Sequence, residues 1–574
     1  MKRSKVEVHL TLRLRFLQAL LLLAAIVLLW RLVNLNTAKS DFLKEQGHAR
    51  FLRDVEIAAN RGTITDRNGE VVAVSTPVES IWVNPQQLQP QDQRHYPALA
   101  ALLEIDRQRL TDLIARRSDK TFVYLKRHLS PAIAARIVEL GIEGLYTQRE
   151  YHRYYPMAEI ASHVVGFTDI DDRGQEGLEL LLNERLQGKS GLKRVIRDRL
   201  GRTIENVESL EEVEAGEDIR LTLDRRIQYL AYRELKAAVQ LHEAKGGMAI
   251  VYDSDSGEVL AMVNQPAYNP NNRSQLTADA LRNRAVTDIF EPGSTMKPFT
   301  VAAALESGLF SSSSTVDTAP GYLRLANFTI RDARNYGVID LATVIKKSSN
   351  VGASKIAMTL DREQMWRLFD GFGFGWSSGS RFPGEQSGNL PPHYQWQSIR
   401  QATISYGYGL STTLMQLTRA YGALAAEGRL SQVTFLADET MPSRRVVSAA
   451  VARSVVTMMS HVTDEGGTAR LARIEGYQIA GKTGTVRKLD TEGYNEENYL
   501  ALFAGMAPAN DPKLVMITVI DQPDSGDYYG GVVAAPVFAK VMGGALRLLN
   551  IPPDDVEADS SLQLTGLKPP ELAP

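Results

Sequence analysis

The chain has 574 residues, which is too long for a single hydrophobic core and indicates roughly two to four domains. Its hydrophobic fraction of 44% and its charged fraction of 23% are typical of globular proteins, and its net charge of -2 gives no indication of nucleic-acid binding. Cysteine does not occur at all, which excludes disulfides, thiolate chemistry and zinc-thiolate sites. Its nine histidines show no H-E-x-x-H pattern, which argues against a metal site.

An apolar run near the start of the chain predicts a membrane anchor. The segment Leu12–Leu35 is almost wholly apolar and long enough to span a bilayer. The basic residues ahead of its centre are Lys2, Arg3, Lys5, Arg13 and Arg15, against Glu7 alone. This asymmetry predicts a cytoplasmic tail at 1–13, a span at 14–35 and the rest of the chain outside the cytoplasm. A cleaved signal peptide is the alternative, but Trp30-Arg31-Leu32 is a poor cleavage site, so we favour an uncleaved anchor.

The region 41–215 mixes strand patterns with charged helical patterns. Residues 61–74 are typical of two β segments joined by the turn at Asn68-Gly69. Helical patterns follow at 98–117 and 131–140, and a further helix is predicted to open within 174–180. We therefore expect an α+β unit here.

The composition shifts near Glu217, where a second unit is predicted to begin and to continue to 550. Its predicted elements are a strand at 218–223, a helix at 225–241, a hairpin at 247–252 and 258–263, and strands at 499–506 and 514–520. The two ends of the unit should therefore form one antiparallel sheet, with helices between them. From 551 to 574 the chain is Pro-rich and acidic, which predicts a disordered tail.

Ser294 and Lys297 form an S-x-x-K pattern that predicts a nucleophile and its base. Pro292-Gly293 favours a turn and the apolar run 301–305 favours a helix, so Ser294 should lie at or just before a helix start. Lys297 then lies one turn further along the same face. A serine hydroxyl needs a neighbouring base, and a lysine amine can act as one only when it is neutral. We therefore expect Lys297 to be desolvated or crowded by positive charge.

Spacing alone is weak evidence, because the same patterns occur elsewhere in the chain. Ser190-Gly191-Leu192-Lys193 also has the S-x-x-K spacing, but it lies in a Gly-rich, basic stretch without a helix start and is interpreted as a solvated loop. Ser387-Gly388-Asn389 has an S-x-N spacing, but it lies in a turn-rich loop between Pro383 and Pro391. We set both aside.

Two later motifs complete the constellation around Ser294. Ser348-Ser349-Asn350 follows the helical pattern at 341–347, and Lys482-Thr483-Gly484-Thr485 follows a strand-like pattern at 476–480. The hydroxyl and amide of the first motif could contact Lys297 and a substrate backbone. The second motif supplies positive charge, and its glycine lets a substrate strand lie close to the sheet edge. The ordered triplet S-x-x-K, S-x-N and K-T-G is typical of penicillin-binding proteins and class A β-lactamases.

With these motifs the chain resembles the class B penicillin-binding proteins, and most closely their septal, FtsI-like branch. The resemblance extends from the anchor to about Asn550 and includes the segments 61–69, 268–273, 290–295, 348–352 and 406–411. The form Ser348-Ser349-Asn350-Val351-Gly352 favours the division branch, because the elongation branch usually carries Asp after the first serine.

The resemblance implies a peptidoglycan D,D-transpeptidase that works through a serine acyl-enzyme. Ser294 would attack the D-Ala-D-Ala carbonyl of a stem peptide, with Lys297 as the base and Ser348 as the relay of the proton to the leaving amine. The substrate-binding residues would be Asn350, Lys482, Thr483, Gly484 and Thr485. Backbone N–H groups of Ser294 and Thr485 would form the oxyanion hole. An amine of a second stem peptide would resolve the acyl-enzyme, and β-lactams would acylate the same serine.

The resemblance also implies the architecture and the setting. Residues 217–550 would form an α/β penicilloyl-serine transferase domain of the β-lactamase-like fold, on an elongated α+β pedestal of the penicillin-binding protein dimerisation type at 41–215. Neither a metal nor a cofactor is implied. The anchor would lie in the inner membrane, with the bulk of the chain in the periplasm. Expected partners are stem peptides, β-lactams, other division proteins and a separate FtsW-type glycan polymerase, because no E-D-x-x-F-x-x-H-x-G motif occurs at 41–215.

Two alternatives belong to other functional classes. A β-lactamase needs a carboxylate to drive water onto the acyl-enzyme, and Glu385 lies about where such an enzyme places its glutamate. However, Phe382-Pro383-Gly384-Glu385-Gln386 lacks the E-x-x-L-N order. A catalytically idle scaffold or β-lactam sensor is the other alternative. The intact catalytic positions argue against a scaffold, and the short segment ahead of the anchor argues against a sensor.

Overall fold

The computed structural model describes residues 3–36, 52–197, 203–490 and 493–555. Its helices are α1 (Arg3–Asn36), α2 (Tyr96–Leu103), α3 (Arg107–Ala115), α4 (Pro131–Val138), α5 (Ser162–Val165), α6 (Gly177–Leu181), α7 (Asn183–Leu186), α8 (Arg225–Leu241), α9 (Ala278–Leu281), α10 (Arg284–Thr287), α11 (Lys297–Glu306), α12 (Leu341–Lys346), α13 (Asn350–Thr359), α14 (Arg362–Gly371), α15 (Ser398–Ile404), α16 (Leu414–Ala425), α17 (Ala449–Ser460), α18 (Gly530–Val533) and α19 (Ala535–Leu548). The predicted tail lies outside the described residues from 556 onwards.

The strands are β1 (Leu52–Ile57), β2 (Ile64–Thr65), β3 (Val71–Val83), β4 (Val123–Leu129), β5 (Leu145–Tyr154), β6 (Gly191–Arg197), β7 (Thr203–Glu211), β8 (Ile219–Arg220), β9 (Gly246–Asp253), β10 (Val259–Gln265), β11 (Thr315–Asp317), β12 (Tyr322–Leu325), β13 (Phe328–Arg331), β14 (Val338–Asp340), β15 (Arg429–Ser431), β16 (Ser443–Arg445), β17 (Ala480–Asp490), β18 (Gly493–Ala507) and β19 (Leu514–Asp521).

By compactness the chain divides into two units, each made of several segments. The first unit comprises Met1–Asn60, Pro77–Tyr151 and Gly188–Ala215, and the second comprises Arg61–Thr76, His152–Gln187 and Gly216–Pro574. Two stretches of the predicted pedestal region thus belong by compactness to the second unit. The assignment of 41–215 and 217–550 to separate functional domains stays a prediction.

Helix α1 contains the predicted anchor. Its apolar stretch Leu12–Leu35 is long and apolar enough to cross a membrane, and none of it is buried against the rest of the chain. The stretch Gly530–Leu548 passes the same test of length and composition, but 56% of it is buried in the second unit. That burial is expected of a core helix, so of the two stretches found among the described residues we take the first as the candidate span.

The core of the first unit lies between strand β4, the end of β3 and helices α2 to α4. Ile81 and Val83 of β3 and Val123 and Leu125 of β4 are buried together with apolar residues of the three helices. The predicted single helix at 98–117 is wrong, because α2 and α3 are separate. Glu104 adopts a left-handed backbone with φ 53°, and the side chain of Asp106 then accepts the N–H of Arg109 at 3.0 Å and caps α3.

The second unit is built on a five-stranded antiparallel sheet with the strand order β10-β9-β19-β18-β17. As predicted, the strands come from both ends of the unit, and the hairpin β9–β10 and helix α8 lie where the sequence placed them. Every residue of β19 is buried, as expected of a strand that is covered on both faces. Strand β17 occupies the edge of the sheet, so in the described part of the chain no strand pairs with its outer side.

Three local predictions differ from the structure. The motif at 482–485 was expected to follow a strand at 476–480, but β17 begins at Ala480 and contains the motif, because Gly476 with φ 79° forms a turn. The strand predicted at 218–223 is regular only at Ile219–Arg220. The segment Ser190–Lys193, interpreted as a loop, enters strand β6, which pairs with β1 and β7.

Candidate active site

Ser294 lies in a single 3-10 turn, Gly293–Met296, which leads directly into the buried helix α11. The prediction that Ser294 precedes a helix start is therefore confirmed. Gly293 has φ 56° and donates its N–H to the carbonyl oxygen of Gly407 at 3.1 Å. A Cβ atom on Gly407 would lie 2.0 Å from the carbonyl oxygen of Gly293, so these two segments of the chain can approach this closely only because Gly407 has no side chain.

Lys297 is fully buried, and its amine lies among three side chains of the predicted site. Its Nζ atom lies 2.6 Å from Ser294 Oγ, 3.0 Å from Ser348 Oγ and 2.8 Å from Asn350 Oδ1. Burial lowers the pKa of Lys297 well below its ordinary value, the positive charge of Lys482 lowers it further, and Asp332 opposes both effects. The expected desolvation and crowding by positive charge are thus both present.

Ser348 connects the two buried lysines with Ser294. Its Oγ atom donates to Ser294 Oγ at 3.0 Å and lies 3.0 Å from Lys482 Nζ. Its backbone is left-handed, with φ 58°, which is uncommon for a residue other than glycine. The next residue, Ser349, caps helix α13 by accepting the N–H of Gly352 at 2.8 Å, so Asn350 is the first residue of that helix.

Asp332 supports this segment and was missed by the sequence analysis. Its Oδ1 atom accepts the backbone N–H groups of Asn350 at 2.6 Å and Val351 at 3.0 Å, and its Oδ2 atom accepts the hydroxyl of Ser349 at 2.5 Å. A carboxylate at a helix N-terminus satisfies free N–H groups and favourably opposes the helix dipole. Nothing in the local sequence signals this role, because Asp332 belongs to the end of a hairpin that was not predicted.

The Lys482–Thr485 motif lies on the edge strand β17. Lys482 is fully buried, and its Nζ atom donates to the carbonyl oxygen of Thr483 at 2.9 Å as well as contacting Ser348. Burial lowers the pKa of Lys482 to about 7. The hydroxyl of Thr483 donates to Thr468 Oγ1 at 3.0 Å, and Thr485 Oγ1 accepts the N–H of Gly530 at 3.1 Å.

Gly484 brings β17 close to the turn that carries Ser294. A Cβ atom at this position would lie 3.1 Å from Thr295 Cγ2 and 3.5 Å from the carbonyl oxygen of Pro292. The predicted oxyanion-hole donors, the N–H groups of Ser294 and Thr485, therefore belong to two segments that pack against each other. Their joint role, like the roles of the other site residues, stays a prediction.

The two sequence features weighed against this site have contacts of their own. The carboxylate of Glu385 accepts the N–H of Ser378 at 2.7 Å and the hydroxyl of Ser380 at 2.8 Å, both within its own loop. Asn389 of the second S-x-N pattern exchanges backbone hydrogen bonds with Ser411 at 2.9 Å. Across the described ranges, no group of three or more His, Asp or Glu side chains is arranged to hold a metal ion.

Comparisons with known proteins place the chain in a family. The family model described as "Penicillin binding protein transpeptidase domain" matches residues 247–543, and the one described as "Penicillin-binding Protein dimerisation domain" matches residues 56–221. The chain therefore belongs to the penicillin-binding protein transpeptidase family. The predicted family, fold class and enzyme class, a serine-type D,D-transpeptidase, are confirmed.

Two curated relatives match nearly the whole chain. "Probable peptidoglycan D,D-transpeptidase PbpC" of Pseudomonas aeruginosa is 40% identical over 539 residues, which are 94% of this chain and 95% of the relative. "Peptidoglycan D,D-transpeptidase FtsI" of Escherichia coli K12 is 39% identical over 547 residues, which are 94% of this chain and 92% of the relative. The chain is thus similar to FtsI-type proteins along both family regions.

Solved structures agree with the fold. The transpeptidase domain of Burkholderia pseudomallei penicillin-binding protein 3 is 43% identical, has a TM-score of 0.54 and covers 58% of this chain and 97% of its own. Penicillin-binding protein 3 of Mycobacterium tuberculosis, solved with aztreonam, is 27% identical, has a TM-score of 0.68 and covers 87% of this chain and 98% of its own.

Proposed function

We propose that the chain is a peptidoglycan D,D-transpeptidase that cross-links stem peptides at the division septum through an acyl-enzyme on Ser294. The observation that carries the proposal is the contact of 2.6 Å between Ser294 Oγ and Lys297 Nζ, formed by a lysine that is fully buried. Burial and the neighbouring Lys482 favour the neutral amine, which is the form that can accept the serine proton.

In the first half of the reaction, Ser294 Oγ loses its proton to Lys297 and attacks the carbonyl carbon between the two terminal D-Ala residues. The negative charge on the carbonyl oxygen is stabilised by the backbone N–H groups of Ser294 and Thr485, each of which contributes on the order of 3 kcal/mol. The proton then passes through Ser348 Oγ to the leaving amine, and the terminal D-Ala departs. The contacts of Ser348 Oγ with Ser294 Oγ and Lys297 Nζ, both 3.0 Å, support this route.

In the second half, the amine of another stem peptide attacks the ester carbonyl of the acyl-enzyme. Its proton returns along the same route to Ser294 Oγ, and an amide cross-link is released. In both halves the donor peptide lies along the edge strand β17 with its backbone held by Asn350. Until the terminal D-Ala departs, the carboxylate of that residue is bound by Lys482, Thr483 and Thr485. Gly484 permits the close approach that this arrangement requires. β-Lactams acylate Ser294 in the same way and bind covalently.

The first helix and the relatives of the chain support the setting that we propose for the enzyme. The span at 14–35 is an uncleaved anchor in the inner membrane, with the basic segment 1–13 in the cytoplasm and the remaining chain in the periplasm. Residues 41–215 act as the pedestal of the transpeptidase domain at 217–550 and contact a separate FtsW-type polymerase and other division proteins. The similarity to proteins named FtsI supports the septal assignment.

The nucleophile is tested with the full chain in detergent. Intact-mass spectrometry after incubation with penicillin should show one covalent adduct in the wild type and none in Ser294→Ala. Lys297→Arg keeps the charge but removes the base, because guanidinium does not deprotonate in proteins, so its acylation should be abolished. Near-normal acylation of Lys297→Arg would show that the base lies elsewhere, and an adduct in Ser294→Ala would refute the assigned nucleophile.

The setting is tested in cells. A reporter fused after Pro574 should be active only outside the cytoplasm, and the mature N-terminus should remain near Met1. A mature N-terminus near Asn36 would contradict the uncleaved anchor. Depletion of the protein should give filaments if it supplies septal cross-linking, whereas rounded or unchanged cells would contradict the septal role.

A further inference from the structure

An exposed hairpin next to the site has two distinct faces. Strands β12 and β13 pair so that Tyr322 lies opposite Arg331 and Arg324 lies opposite Thr329. Because side chains alternate along a strand, these four residues share one face of the hairpin. On the other face, Ile330 is 2% exposed and packs in the core of the unit together with Leu323. The face with the arginines is therefore directed away from the core.

This outer face carries two positive charges beside one aromatic ring. The guanidinium carbons of Arg324 and Arg331 lie 5.9 Å and 5.8 Å from the centre of the Tyr322 ring. Within the ranges that the structure describes, neither guanidinium pairs with a carboxylate. The adjacent Asp332 uses both carboxylate oxygens to hold the start of α13. Tyr322 and its two arginines thus form a preorganised cationic face, here called the arginine face.

The arginine face is attached to the Ser348 side of the site. The carbonyl oxygen of Arg331 accepts the side-chain N–H of Asn350 at 3.2 Å, and the next residue caps the helix that begins with Asn350. Ser348 precedes that helix by two residues and contacts Ser294 directly. The hairpin that carries the arginine face is thus linked through Asn350 to the segment that contains Ser348.

We infer that the arginine face binds the carboxylates of the acceptor stem peptide, the one whose amine resolves the acyl-enzyme. The inference rests on the proposed function. The attacking amine must take the place that the leaving amine vacates, beside Ser348. The donor is assigned to β17 and Lys482, and we place the acceptor chain toward the hairpin β12–β13, which contacts the start of α13 through Arg331 and Asp332. Stem peptides carry free carboxylates, and planar guanidinium groups pair with carboxylates through two parallel hydrogen bonds.

The test compares two hairpins of the same chain. Arg429 and Arg445 are exposed and lie opposite each other in the short antiparallel strand pair β15–β16, and Arg429→Gln/Arg445→Gln is the matched control for Arg324→Gln/Arg331→Gln. The full chain in detergent is acylated with a thioester analogue of D-Ala-D-Ala. An acidic peptide amine, or the same peptide with its carboxylates amidated, is then added as acceptor. The ratio of cross-linked product to hydrolysed donor measures how well each acceptor is used.

The arginine-face variant should lose about fivefold in this ratio with the acidic acceptor at low salt, as expected for two exposed charge contacts. The ratio with the amidated acceptor should be the same as in the wild type, and the loss should shrink at high salt because the charges are screened. Equal losses with both acceptors, or the same loss in the control variant, would overturn the inference. A wild-type chain that the thioester does not acylate would instead refute the proposed function, so the two failures are distinguishable.

Discussion

Replacing Lys482 by methionine should make the second unit more stable while it removes activity. Lys482 is fully buried, and burial lowers its pKa from the ordinary 10.5 to about 7. At pH 7 a shift of this size destabilises the folded protein by about 4 to 5 kcal/mol relative to the unfolded chain. The change Lys482→Met removes this penalty but loses the hydrogen bonds to Ser348 Oγ and the carbonyl oxygen of Thr483, about 1 kcal/mol each. The expected net gain is about 2 to 3 kcal/mol.

The gain should depend on pH in a defined direction. The folded-state pKa of Lys482 is below its unfolded-state value, so between about pH 7 and 10.5 the unfolded chain binds more protons than the folded one. The contribution of Lys482 to the stability of the wild type therefore becomes less unfavourable as the pH rises across this window. The penalty from Lys482 is fully present below pH 7 and vanishes toward pH 10.5. The advantage of Lys482→Met should shrink accordingly, by about 1.4 kcal/mol per pH unit in the middle of the window.

The assay is denaturant unfolding of the full chain in detergent between pH 7 and pH 10, with penicillin acylation measured in parallel. Lys488→Met is the control on the same strand, because Lys488 is 28% exposed and pairs with Asp521 at 2.7 Å. Losing this pair should give no gain at any pH. If Lys482→Met is less stable than the wild type at pH 7, or if its gain in stability does not change with pH, the argument that burial destabilises the charged form of Lys482 is wrong.

Three further predictions concern residues outside the lysine pair Lys297 and Lys482. Asp332→Asn should slow acylation and destabilise α13 by about 1 kcal/mol, because the carboxylate holds the start of that helix. It should also move the acid limb of the acylation pH profile to lower pH, because Asp332 raises the pKa of Lys297. An acid limb that moves to higher pH would contradict this. Glu385→Gln should leave the lifetime of the penicillin adduct unchanged at many minutes, because the Glu385 carboxylate is hydrogen-bonded within its own loop. The lifetime is followed by intact-mass spectrometry. An adduct that vanishes within seconds in the wild type and persists in the variant would identify Glu385 as a deacylation base and the protein as a β-lactamase. Gly407→Ala should abolish acylation, because its Cβ would lie 2.0 Å from the carbonyl oxygen of Gly293, next to Ser294. The control Gly409→Ala, whose Cβ has no atom within 3.4 Å, should cost only about 1 kcal/mol of backbone strain in a thermal melt. Equal effects of the two changes would refute the steric argument.

The parts of the site that are close together in sequence could be predicted from it. Ser294 and Lys297 are separated by one helical turn, so the spacing alone places the amine beside the hydroxyl once a helix start is recognised. The sheet could be predicted equally well, because the hairpin β9–β10 and the strands β18 and β19 are marked by apolar runs with turns between them. These features depend on local propensity and on a single period.

The missed features depend on contacts between distant segments. Asp332 is an ordinary surface carboxylate by sequence and acquires its role only because the hairpin β12–β13 returns the chain to the start of α13. The predicted helix at 98–117 is too long because the left-handed backbone at Glu104 and the Asp106 cap divide the charged helical pattern into two helices. The start of β17 was shifted because its pairing with β18 decides where the strand begins.

The contacts that cap helix α13 also position Ser348 in the candidate site. A left-handed backbone at a residue other than glycine is unfavourable by roughly 1 kcal/mol or more, and it persists only where the surroundings determine it. Here the following residues are fixed by the Ser349 cap and by the three hydrogen bonds to Asp332. That fixation holds Ser348 Oγ within 3.0 Å of Ser294, Lys297 and Lys482 at once. Because the strain at Ser348 is opposed by the same contacts that start helix α13, weakening the cap should loosen the contacts of Ser348 Oγ before it unfolds the unit.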